Sequence, residues 1–290
     1  MAQSIIDLIK ILRETTGAGM MDCKKALEAS DLDVDRAKDW LREKGITNAA
    51  KKEARIAAEG LTNVRVCDNC AKGIVLEVNC ETDFVAKGEA FHTLVEQATV
   101  ELMHNEAKDI EHGRELTQKL FAEATVKMGE KLSLRRFEII KGEGQGFGSY
   151  IHMGGKISVL VVLNKADAEL AKGLAMHIAA NNPAYIDKES IPASEIEHET
   201  AIQLEAAKND EKLKGKPENI LINIIKGKVN KVLFESTLSE QVYLLDGEKK
   251  VADVLNAAGV KVLKFVRYQV GEGIEKRKDD FASEVMAATK

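Results

Sequence analysis

The chain has 290 residues, 44% of them hydrophobic and 31% charged, with a formal net charge of −5. That length suits about two domains with buried cores. The negative balance argues against wrapping duplex nucleic acid or binding polyphosphate, which need cationic surfaces, and no apolar run approaches the ~18 residues of a membrane span.

Residues 1–45 read as three short helices. Ser4 can cap the first, in which Ile5, Leu8, Ile9 and Leu12 recur at helical spacing. Gly17-Ala18-Gly19 breaks it, and 22–29 forms the second. Asp33 caps the third, which carries Ala37, Trp40 and Leu41 and is expected to stop at Gly45. Met20-Met21 follows two glycines, and a tight turn cannot point both side chains into one core. Two readings stay open: core filler, or a soft surface that adapts to a partner. Residues 46–58 contain neither Gly nor Pro and read as an Ala-rich helical connector, with Lys51-Lys52, like Lys24-Lys25, on solvated faces.

Residues 59–144 form a first α+β unit. Strands are expected at 61–66 and 73–79, joined by a hairpin turn at Cys67-Asp68-Asn69-Cys70. Helices follow at about 83–102 and 114–128, and a strand at 132–140 closes the unit. Residues 145–273 repeat the plan with strands at 147–152, 156–164 and 262–270 and a helix at 168–181. Between helix and closing strand lies an insertion, about 183–260. In it, Ser194-x-x-Glu197 resembles a capping box, and Gly215-Lys216-Pro217 separates two amphipathic helices, about 194–213 and 217–234. Two such helices make a hairpin suited to an arm or a self-association element. Residues 274–290 form a tail with a short helix at 279–288.

An offset of 85 residues carries Asn79, Ala86, Lys87, Gly88, Ala90 and His92 onto Asn164, Ala171, Lys172, Gly173, Ala175 and His177. Arg267-Tyr268-Gln269-Val270 also echoes Arg136-Phe137-Glu138-Ile139. At the 85-residue offset Phe84 falls on Glu169, a position that faces water in the second copy. Phe84 is therefore expected on the surface at a strand-to-helix turn, where an aromatic is more often a contact than a defect. Asp83 can cap the helix that follows and hold Phe84 in place.

Other constellations are weaker. Cys67-x-x-Cys70 lacks the further ligands of a closed zinc site and sits at a hairpin tip instead of a helix start, so these read as incidental turn cysteines. Cys23 and Cys80 complete the four cysteines; with no signal-peptide pattern at Met1 to Asp7, a reducing cytosol is expected. No nucleophile elbow and no phosphate-binding loop is present, so no enzyme activity, cofactor or metal is expected. The glycine-rich run 142–148 reads as a flexible link between the units, and His177, matched by His92, as a structural residue common to both.

Residues 13–27, Arg-Glu-Thr-Thr-Gly-Ala-Gly-Met-Met-Asp-Cys-Lys-Lys-Ala-Leu, and 77–87, Glu-Val-Asn-Cys-Glu-Thr-Asp-Phe-Val-Ala-Lys, resemble the two signatures of the bacterial elongation factor Ts family. Further matches are Met176-His177-Ile178-Ala179-Ala180 and Val270-Gly271-Glu272-Gly273-Ile274-Glu275-Lys276, so the resemblance covers essentially the whole chain. It implies an N-terminal module similar to ubiquitin-associated domains, a duplicated α+β core and an inserted helical hairpin. It also implies a nucleotide-exchange factor whose partner is the GTPase elongation factor Tu. By that resemblance Asp83 and Phe84 enter the GTPase near its magnesium site, framed by Thr82 and Val85. Met20 and Met21 contact its nucleotide-binding domain, and His152 another of its domains. No direct contact with nucleic acid or membrane is implied. The hairpin could dimerise with a second copy or touch the GTPase.

Overall fold

The computed structural model describes residues 4–52, 54–67, 72–210, 213 and 217–275. Cys70 and the tail helix expected at 279–288 lie outside the described residues. Among the described residues no helix is long and apolar enough to cross a membrane.

The first three helices are α1 (Ile5–Thr16), α2 (Met20–Ala29) and α3 (Val34–Lys51). Ser4 Oγ accepts from the Ile6 and Asp7 amides at 3.2 and 3.4 Å, and Gly17, at φ 68°, ends α1. Leu8, Leu12, Cys23, Ala26, Leu27, Ala37 and Leu41 close a small core of their own. The stop expected at Gly45 does not occur, since α3 continues to Lys51. Gly45 instead permits close approach to a later helix, because a Cβ there would lie 2.6 Å from the Ala122 carbonyl oxygen. The expected helical connector is thus partly the end of α3.

Two three-stranded antiparallel sheets follow. The first orders β1 (Glu59–Val66), β2 (Lys72–Cys80) and β3 (Ser133–Lys141), with β2 central. The helices α4 (Asp83–Ala86), α5 (Glu89–His104) and α6 (Ile110–Met128) intervene between β2 and β3. The single helix expected over 83–102 is broken at Lys87, because Gly88 takes an extended conformation (φ −73°, ψ 140°) and starts α5 anew. In the second sheet β4 (Gly146–His152), β5 (Ile157–Leu163) and β6 (Val262–Gln269) repeat the order, with α7 (Ala168–Asn181) after β5. Glu59 pairs with Cys80 and Gly146 with Leu163, and a bulge falls at Glu77/Val78 and again at Val162/Leu163. The bulges lie one repeat offset apart, so the duplication extends to hydrogen-bond register.

Strand alternation sends the two faces of each sheet to different places. Ile74, Leu76 and Val78 pack with Phe91, Leu94 and Leu102 of α5; Val159, Val161 and Leu163 pack with Leu174 and Ile178 of α7. The opposite faces meet each other through Val64, Val75, Phe147, Leu160 and Val162. The core is therefore helix, sheet, sheet, helix, an α+β fold. Glu77, fully buried, is gripped by Arg135 at 2.9 Å, Arg136 at 2.7 Å and the Gly271 amide at 2.8 Å. Gly271, at φ 72°, brings the chain after β6 against Ala58.

Three further sequence expectations need correction. The glycine run is not a link throughout: Gly146 and Gly148 are buried in β4, and a Cβ on Gly148 would stand 2.4 Å from the Ala171 backbone carbon. The closing strands align Phe137 with Phe265, opposite Leu76 and Val161, so the Arg136/Arg267 echo is three residues out of register. Ser194 does not cap its helix: α8 (Ala193–Asn209) begins after Pro192 with no side-chain cap. The insertion continues with α9 (Glu218–Glu235), which packs on α8, and α10 (Val251–Ala258), which the sequence did not predict.

Candidate partner-binding site

The β2–α4 turn displays one large apolar side chain on a tightly held backbone. Phe84 is 83% exposed, the most exposed of the large hydrophobics among the described residues. Leaving it in water forgoes the ~1.5–3 kcal/mol that burial would supply, so nothing in the fold itself accounts for an aromatic here. The two residues after it point inward. Val85 packs against the first core, and Ala86 is buried.

The cap differs from the expected one. Thr82, not Asp83, precedes the helix, and its Oγ1 accepts from the Val85 amide at 3.3 Å. Asp83 occupies the first helical position, where its carboxylate favours the positive helix end and accepts from Lys87 Nζ at 2.6 Å. That hydrogen bond, with the nearby Lys156 ammonium adding to it, holds the Asp83 carboxyl below the usual carboxylate range.

A second turn braces the first. Glu130, just past the α6 C-cap Gly129, accepts from the Glu81 amide at 3.0 Å, the Thr82 amide at 3.1 Å and Thr82 Oγ1 at 2.6 Å. In return Glu81 accepts from the Lys131 amide at 2.6 Å and from Arg55 at 3.2 Å. Underneath, burial pushes the Cys80 thiol up to about 12, so this cysteine is an inert core residue at neutral pH.

The other sequence-predicted residues sit on separate elements. Met20 and Met21 open α2 and are 59% and 61% exposed, so neither is core filler. Met20 lines a groove with Ile6, Ile9, Arg13 and Gly17. His152 ends β4, with Nδ1 3.3 Å from Tyr150 Oη. The hairpin tip beside it, Met153, is 72% exposed at φ 49°. Lys156, past that tip, donates to Glu59 at 3.2 Å and to the Gly60 carbonyl at 3.3 Å. The β4–β5 hairpin and the Asp83 turn therefore share one end of the sheets. The α1–α2 corner packs on Val126 and Lys127, in the last turn of α6 before Glu130.

Among the described residues no cluster of three His, Cys, Asp or Glu side chains could hold a metal ion. His177 is buried and bound up in structure: its Nε2 lies 2.9 Å from Gln241 Oε1, and its Nδ1 accepts from the Leu244 amide at 3.2 Å. His92 is exposed, so the structural role expected to be common to both histidines belongs to His177 alone.

The family model described as Elongation factor TS matches residues 81–272, from the Glu81 end of this turn through the Glu272 that follows β6. The chain belongs to the elongation factor Ts family. Membership places it in translation elongation, within a family of nucleotide-exchange factors. Glu130 escaped the sequence reading, since a Glu after a helix-ending glycine carries no distinctive signal. Met153 could have been found from its place at a glycine-flanked hairpin tip beside His152.

Proposed function

We propose that the chain promotes GDP release from elongation factor Tu in the cytoplasm, with the Phe84 turn as a wedge directed at the GTPase's magnesium and phosphate site. The observation that carries this reading is an aromatic side chain 83% exposed on a turn whose backbone is fixed by Glu130 and Glu81. A rigid protrusion can displace a partner's switch element; a mobile one would be displaced instead.

Exchange needs no acid or base. The factor must bind the nucleotide-free GTPase better than the loaded one, and linkage then weakens nucleotide binding by the same ratio. GDP is held through its phosphates and Mg²⁺, so a small displacement of the magnesium ligands weakens it. Burying one Phe supplies ~1.5–3 kcal/mol, roughly ten- to 150-fold. Efficient exchange therefore draws on further contacts. In this reading Met20 and Met21 supply one, on a unit spanning 1–45, and His152 supplies another, on the unit 145–273, with Thr82, Asp83 and Val85 framing Phe84 on 59–144.

Stopped-flow release of a fluorescent GDP from elongation factor Tu tests it. Phe84→Ala is expected to slow release about ten- to 150-fold with thermal unfolding unchanged. Release at the wild-type rate would overturn the wedge.

A second reading rests on the hairpin. Ile196, Ile202 and Leu204 of α8 and Ile220, Ile222 and Val232 of α9 are all exposed, as a scaffold or a homodimer contact would need. Deleting 194–234 separates the two. Exchange that survives favours the wedge, and exchange lost with the hairpin favours the scaffold.

A further inference from the structure

We propose that Glu130 is a positioning residue for exchange: its carboxylate sets the orientation in which Phe84 is presented. The proposal rests on the exchange reading above. Glu130 is half-buried at the α6–β3 turn, and its three hydrogen bonds among the described residues go to the backbone and hydroxyl that start α4. One oxygen takes the Glu81 and Thr82 amides; the other takes the Thr82 hydroxyl. That hydroxyl caps the Val85 amide, so the chain of bonds from Glu130 reaches both sides of Phe84.

Geometry separates this from ordinary turn chemistry. A four-residue helix, Asp83–Ala86, has too few internal hydrogen bonds to hold itself. Its direction must come from outside. The second copy shows how little a cap alone requires. Asp167 accepts from the Leu170 amide at 3.0 Å and starts α7, a helix of 14 residues that supplies its own rigidity. The short first-copy helix has the added brace instead.

The brace also joins the Phe84 turn to the N-terminal helices. Gly129, the residue before Glu130, accepts from Lys52 beyond α3, and Lys131, the residue after it, donates to the Arg55 carbonyl at 2.9 Å. Arg55 returns to Glu81. Force applied at the connector, for instance when Met20 and Met21 dock, would therefore arrive at the turn through residues 129–131.

A double-mutant cycle tests this by GDP release from elongation factor Tu, with the saturating release rate and the half-saturating factor concentration measured separately. Glu130→Ala is expected to lower the saturating rate about tenfold, with a smaller change in half-saturation. Glu130→Gln, whose amide oxygen can still accept from both backbone amides, is expected to restore most of the rate. In a Phe84→Ala background, Glu130→Ala should cause no further loss. Equal losses in both backgrounds, or a wild-type rate for Glu130→Ala, would overturn the positioning role. Loss in Glu130→Gln as deep as in Glu130→Ala would overturn it as well. A wild-type protein that does not accelerate release at all would fell the exchange reading itself, an outcome distinct from these. Thermal unfolding of Glu130→Gln keeps the comparison among folded proteins.

Discussion

The two copies of the α+β unit solve the same local problem and leave opposite surfaces. In each a central strand with a bulge near its end gives way to a capped helix: Thr82 caps Val85 in the first, Asp167 caps Leu170 in the second. The position after the first helical residue then takes Phe84 in one and Glu169 in the other, both exposed. The same glycine is used differently as well. Gly88 is extended and splits α4 from α5, whereas Gly173 stays inside α7, where a Cβ would stand 2.1 Å from Tyr243 Oη. The second copy lets the insertion close over its helix, burying His177 and Gly173 beneath Gln241, Tyr243 and Leu244. In the first copy the corresponding His92 faces solvent. One copy has therefore become a platform for the insertion, and the other keeps an open turn with an aromatic on it.

Making the first copy resemble the second is the strongest way to break this contrast. Phe84→Glu installs the residue that the second copy carries. It is expected to slow GDP release by about 100-fold or more, since it loses an apolar contact and brings an unpaired charge into the partner. The same substitution should change the unfolding free energy from urea titration by no more than about 0.5 kcal/mol, the range usual for surface changes, because Glu169 is accommodated in the matching backbone. A large loss of stability would mean that Phe84 is held by the fold and is no free surface.

This contrast also decides what was legible in the sequence. The exposure of Phe84 could be read because the second copy supplied Glu169 at the same offset. Strand limits and α7 could be read because alternation and the 168–181 periodicity are local. The closing strand was misaligned by three residues, since an Arg followed by an aromatic recurs in both, while register is set by pairing with β5. Gly45 looked like a helix stop because the helix it packs against, α6, lies far along the chain. Of the candidate site, the exposed apolar residues were visible and the bracing was not. The partners of Glu130 are backbone amides, which have no letter in a sequence.

His177 gives a smaller test. His177→Ala leaves the Leu244 amide and Gln241 without their partner in a buried site, at a cost of about 2–4 kcal/mol. His92→Ala on the exposed equivalent should change stability by no more than about 0.5 kcal/mol. A pH dependence follows with a definite sign. Burial, opposed by the hydrogen bond with Gln241, lowers the His177 pKa in the folded state from its ordinary 6.5. Below that value the unfolded chain takes up a proton that the folded one resists, so the contribution of His177 is full above it and declines as pH falls towards the folded pKa. Urea midpoints measured above and below 6.5 should therefore drop on acidification in the wild type, and His177→Ala should lose part of that drop. An equal slope in both proteins would place the titration elsewhere.

The finest distinction concerns the Asp83–Lys87 pair, which the second copy lacks because Ala168 stands at the position of Asp83. Since α7 starts without such a pair, the pair is not needed for a helix to begin after this turn. Both side chains are largely in solvent, where ion pairs contribute little. Lys87→Ala is accordingly expected to leave the thermal midpoint unchanged. The hydrogen bond from Lys87 lowers the Asp83 pKa, so the carboxylate remains charged at neutral pH, and an acidic limb in the exchange profile near pH 6 would not come from this group. Lys87→Ala also releases the carboxylate, whereas Asp83→Asn neutralises it. If Asp83 meets a donor on the GTPase, Asp83→Asn should slow GDP release several-fold while Lys87→Ala changes it by less than about twofold. Equal losses would instead make the ion pair part of what keeps the turn rigid, and the first copy would then depend on a contact that the second never acquired.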